Sequence, residues 1–138
     1  MSEELNPILC ERHGAVGVLT INRPKTLNAL NTPTLLALEA ALTELERDDS
    51  VRVIVLAGEG KAFCAGHDLK EMRGNYSKDF QQRLFRLCGK FMMKLTELPQ
   101  PVIARVHGIA TAAGCQLVSM CDLAVAAGGQ MRAVRGDH

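Results

Sequence analysis

Between Val51 and Ala57 the chain reads Val-Arg-Val-Ile-Val-Leu-Ala, a nearly unbroken apolar run. Such a run is expected of a strand covered on both faces in a parallel sheet, which restricts the chain to an α/β arrangement. Function in such sheets sits beyond the carboxyl ends of the strands. There the sequence continues from Gly58 through Glu59, Gly60, Lys61, Ala62, Phe63, Cys64, Ala65, Gly66, His67, Asp68 and Leu69 to Met72. Gly58 and Gly60 permit a tight departure from the sheet, and Gly66 lets the backbone pack closely where a helix is expected to open. His67 follows at that opening. Backbone N–H groups in the first turn of a helix lack intrahelical acceptors and lie at the positive end of its dipole, so they can hold a developing negative oxygen.

The flanking sequence supplies the rest of an alternating pattern. Ile8 to Arg12 and Val16 to Asn22 flank His13-Gly14-Ala15 and read as a hairpin with His13 in its turn. After a loop from Lys25 to Asn31, Thr32-Pro33 reads as an N-cap followed by a first-turn proline. The helix it opens runs to about Arg47, with Leu35, Leu38, Leu42 and Leu45 on one face. Arg73 to Tyr76 reads as a surface turn, and Ser77 caps a second long helix. Phe80, Leu84, Leu87, Phe91, Leu95 and Leu98 follow its period until Pro99 and Pro101 stop it. Val102 to Val106 is another buried strand. It leads through His107-Gly108 into Ile109 to Leu117, a second strand, small-residue and helix arrangement that makes a second helix mouth. A short helix to about Cys121 and a strand at Leu123 to Ala126 complete the pattern.

Composition narrows the function classes. With 138 residues and 47% hydrophobic content, one domain with a real core is expected. Sixteen Lys and Arg against fifteen Asp and Glu leave a formal charge of +1, so no overall field favours nucleic acid or an anionic membrane. Cys10, Cys64, Cys88, Cys115 and Cys121 lack metal-ligand spacing and read as reduced, packed thiols. The first residues show neither a signal nor a transit peptide pattern, and a cytoplasmic location is expected. From Gly128 to His138 the periodicity ends, so residues 1–127 are expected to form the domain and residues 128–138 a truncated, frame-shifted or disordered tail.

Asn22-Arg23-Pro24-Lys25-Thr26-Leu27-Asn28-Ala29-Leu30, Ala62 to Leu69, and Ala112-Ala113-Gly114-Cys115-Gln116-Leu117 followed by Cys121-Asp122 form three ordered motifs. Together they resemble the enoyl-CoA hydratase/isomerase (crotonase) superfamily over about Ile8 to Ala127. The resemblance implies an α/β spiral of ββα units, here truncated, that binds acyl-CoA thioesters. Coenzyme A enters as part of the substrate, with no separate cofactor or metal, and the full-length form is expected to be a homotrimer or a dimer of trimers. It implies two backbone N–H groups, those of His67 and Ala113, at an enolate oxygen. It places Lys25, Thr26, Leu27 and Ala29 at the coenzyme, and Ala65, Asp68, Leu69 and Gly114 along the acyl thioester.

Gln116 stands where hydratases of the family carry a glutamate, and their second glutamate would fall about twenty residues later. An amide orients water but does not exchange protons near neutrality, so hydratase activity is not expected of this chain. A non-catalytic acyl-CoA-binding or assembly protein and a thioester decarboxylase are the alternatives. The residues themselves point to a backbone role for His67, with its side chain facing solvent, a helix-capping role for Asp68, and a structural hydrogen bond for His107. Lys25, Lys61 and Lys70 are candidates for the phosphates of coenzyme A.

Overall fold

A computed structural model describes residues 6–126 of the chain, so the tail from Gly128 and the first five residues lie outside the described residues. The chain opens with strands β1 (Ile8–His13) and β2 (Val16–Ile21), paired antiparallel with His13 opposite Val16. The turn is therefore Gly14-Ala15, and His13, expected in the turn, ends a strand instead. Gly14 at φ 63° supplies the left-handed backbone that so short a connection needs.

A 3₁₀ turn at Pro24–Thr26 leads to helix α1 (Thr32–Glu46). Its cap is Asn31 rather than Thr32: extended backbone lets the Asn31 side chain accept from Thr34 N–H at 3.0 Å. Strand β3 (Val53–Gly58) and a three-residue strand β4 (Ala62–Cys64) come next. Helix α2 (Leu69–Gly74) takes in two residues expected in a turn, and α3 (Lys78–Glu97) is capped by the Ser77 hydroxyl, which accepts from Phe80 N–H. Strands β5 (Val102–Val106) and β6 (Ile109–Ala110), helix α4 (Ala113–Met120) and strand β7 (Leu123–Ala126) finish the described chain.

The main sheet has the order β1-β2-β3-β5-β7 and is parallel from β2 onward, while β4 and β6 pair as a separate parallel two-stranded sheet. Ile54 opposite Val102 and Leu56 opposite Ala104 set one buried face. That face joins Leu35, Leu38, Leu42 and Leu45 of α1 and Leu84, Phe91 and Leu95 of α3 in one core. Val53 and Val55, on the opposite face of β3, are only half-buried, so the strand is not covered equally on both sides as its composition suggested. The helices α1 and α3 supply the apolar stripes of one layer only. None of the described helices is long and apolar enough to cross a bilayer, and no group of three or more His, Cys, Asp or Glu among the described residues is arranged for a metal.

Candidate functional site

The loop from Arg23 to Leu30 is held by one side chain. Asn28, fully buried at φ 59°, accepts from Arg23 N–H at 2.8 Å and donates to the carbonyls of Glu59 and Ala62 at 2.9 and 2.8 Å. Asparagine tolerates this left-handed backbone better than most residues, and its amide ties the loop to the β3–β4 connection. Leu27 C=O then accepts from Ala65 N–H, and Leu30 forms a parallel bridge to His67.

That bridge explains the state of the His67 amide. Leu30 donates its N–H to Gly66 C=O at 2.7 Å and accepts from Asp68 N–H at 3.0 Å. In a parallel bridge the residue between two such partners turns its own N–H the other way. His67 N–H accordingly has no acceptor among the described residues. His67 does not lie in the first turn of a helix, as expected from its sequence, but one residue ahead of the cap, which is Asp68. Its amide is left open by the bridge, not by a helix end.

The second amide arrives through β6. Cys64 pairs with Ala110, and Thr111 N–H donates to Cys64 C=O at 3.2 Å, which sets the start of α4 beside Gly66. Gly114 N–H closes onto Thr111 C=O at 2.8 Å, with Ala112 at φ 51° and ψ −121°, the first central position of a type II′ turn. Ala113 opens α4, and its N–H has no acceptor among the described residues. A Cβ built on Gly66 would stand 3.4 Å from Ala113 N and 3.2 Å from the Ala112 methyl, so the two open amides flank one narrow contact. A Cβ at Gly114 would overlap the Cys64 carbonyl, so only glycine lets α4 approach β4 this closely.

A cavity of about 530 Å³ opens here, lined by Thr26, Ala29, Ala65, His67, Asp68 and Leu69, with Lys70, Met72, Phe85 and Ala112 completing its wall. Of the residues expected from sequence, Lys25, Leu27, Ala113, Gly114 and Gln116 are not among those lining it. Gln116 lies in the first turn of α4 with its side chain exposed, and Lys61 is also exposed. The His67 ring does not face solvent as expected. It is half-buried and meets Phe85 edge to face at 5.3 Å, with Nδ1 enclosed and without a hydrogen-bond partner among the described residues. Burial lowers its pKa, only partly opposed by the charge of Glu71.

Asp68 is locked in place. It accepts from Lys70 and Glu71 N–H at 2.9 and 3.2 Å and pairs with the buried Arg23 guanidinium at 3.0 Å. Burial works to raise its pKa, but the Glu71 N–H, Arg23 and the Lys70 N–H outweigh it and hold the carboxylate below its ordinary value. His107 accordingly serves the scaffold, with Nε2 2.5 Å from Gly60 C=O. None of the five cysteines forms a disulfide, and burial raises the Cys64 thiol to about 11.

The signature of the enoyl-CoA hydratase/isomerase family matches residues 11–131. The chain is 43% identical over 119 residues to the mitochondrial enoyl-CoA hydratase domain-containing protein 3 of Xenopus laevis, covering 86% of this chain and 40% of that protein. It is 42% identical over 125 residues to the short-chain-enoyl-CoA hydratase of Clostridium acetobutylicum, covering 89% of this chain and 47% of that one. The crystal structure of an enoyl-CoA hydratase from Mycobacterium smegmatis superposes with a TM-score of 0.85 at 57% identity, over 87% of this chain and 47% of that one. The chain thus spans less than half the length of these relatives. The domain-containing proteins it matches are mitochondrial by name, which corrects the expectation of a cytoplasmic location. Targeting leaders are separable from the fold, so the character of the first residues carries no compartment.

Proposed function

Because this chain belongs to the enoyl-CoA hydratase/isomerase family, we propose that it binds acyl-CoA thioesters and polarises the thioester carbonyl with the backbone N–H groups of His67 and Ala113. One observation carries the reading: two amides without acceptors lie beside Gly66, one on His67 in the wall of an apolar cavity and one on Ala113, next to the wall residue Ala112. Donors fixed before the substrate arrives need no reorganisation as charge develops on the carbonyl oxygen, and one such donor is typically worth about 10² to 10³ in rate. The acyl chain lies against Leu69, Met72 and Phe85, and residues 1–127 form the acyl-CoA-binding part.

Proton transfer is the missing half of hydration. Asp68 is ionised and already engaged by Arg23 and the α2 amides, and the exposed Gln116 amide does not titrate. Binding without useful hydration is therefore the proposed behaviour of this chain. Loss of CO₂ from a malonyl-type thioester is the second reading, favoured by the same pairing of open amides beside a cavity whose lining carboxylate, Asp68, is already engaged, since it forms the enolate directly. Trimeric assembly belongs to the same proposal.

The test pairs calorimetric titration of the chain with crotonyl-CoA against an absorbance assay for loss of the conjugated enoyl thioester. Saturable binding with no turnover above a Gly66→Pro control supports the reading. Absence of binding, or turnover that scales with this chain and disappears in the control, overturns it.

A further inference from the structure

Ala112 holds φ 51° and ψ −121°, a conformation natural to glycine and strained for a residue with a Cβ. The strain has a definite direction. At ψ near −120° the Cβ of an L-residue eclipses the following C–N bond, and in a trans peptide the next N–H lies on that same side. The Ala112 methyl therefore stands beside the Ala113 N–H. It also forms part of the cavity wall and faces Gly66, whose added Cβ would approach it to 3.2 Å. Glycine would make the same turn without strain and leave this corner of the cavity open.

We propose that Ala112 is a specificity-determining residue of the thioester site, its methyl closing the slot between Gly66 and the Ala113 N–H so that α-methyl-branched acyl groups are refused. The inference rests on the acyl-thioester reading above. An oxygen at hydrogen-bond distance from Ala113 N is also in contact with that methyl, and the α-carbon of the acyl group lies only two bonds from the oxygen. A branch on the α-carbon needs the volume the methyl occupies. Straight chains extend away from it along Met72 and Phe85.

The experiment titrates butyryl-CoA and isobutyryl-CoA into the full chain and into Ala112→Gly, with thermal melts of both. A single methyl is worth on the order of tenfold or more in a shaped apolar pocket, so the parent chain should favour butyryl-CoA by about tenfold. In Ala112→Gly the preference should shrink at least about fivefold, while release of strain raises Tm by about 3 to 6 °C. An unchanged preference with intact binding overturns the role of Ala112 alone. A Tm that fails to rise removes the strain on which it stands. Failure of both thioesters to bind either chain overturns the acyl-thioester reading and this inference with it.

Discussion

Replacing Asp68 by alanine should destabilise the fold by about 4 kcal/mol at pH 7, as follows from the two tasks of one carboxylate. Its cap on α2, through Lys70 and Glu71 N–H, is of a kind worth about 1 kcal/mol. Its pairing with Arg23 occurs where the two side chains are 11% and 3% exposed, and removing one member of such a buried pair costs about 3–5 kcal/mol because the remaining charge stays desolvated. The losses share an atom set and do not add fully. Urea unfolding followed by circular dichroism, with slopes of roughly 1–3 kcal/mol/M, should show the midpoint falling by about 2 M. Asp68→Asn retains an oxygen for the cap and should lose about half as much. The sign with pH follows from the lowered pKa of Asp68: its contribution is complete above the unfolded carboxyl pKa of about 3.9 and is lost as pH falls through the lower folded value. The difference between parent and variant should therefore narrow below about pH 4. A midpoint that moves by less than about 0.5 M at neutral pH, or a difference that persists undiminished in acid, would refute the pairing as the source of stability.

Gly114→Ala places a methyl inside the Cys64 carbonyl and should cost about 1–3 kcal/mol as α4 backs away from β4; unchanged stability would show that the close approach is absent. The enclosed Cys64 thiol, raised to about 11, should resist iodoacetamide in the folded chain at pH 8 and react on unfolding, as read by mass spectrometry. His67, with its pKa lowered by burial, should titrate below about 6.5 by NMR and lose its stabilising contribution as pH falls through the folded value. Titration at or above that point would contradict the half-buried ring against Phe85.

The long helices were legible because their apolar periods are local: Leu35 to Leu45 in α1 and Leu84 to Leu95 in α3 end in the core as their spacing predicts. So was the family, whose motifs are short runs around Gly66 and Gly114. Strands β4 and β6, three and two residues long, are too short to display alternation. The Arg23–Asp68 pair and the Asn28 bonds join residues 45 and more than 30 apart, and no spacing rule announces such partners. Phe85 sits one position off the core stripe of α3, where only the tertiary contact with His67 shows its place in the cavity. Ala112 hides a glycine-like backbone behind an ordinary alanine.

The central claim is that the amides of His67 and Ala113 act together on one oxygen. The most direct measurement is an amide NMR titration of the ¹⁵N-labelled chain with a non-reactive acyl-CoA, compared with free coenzyme A. The account predicts that both amide protons move downfield together, with one shared saturation curve, for the thioester and not for the free coenzyme. Thioester binding that leaves either amide unmoved would contradict it.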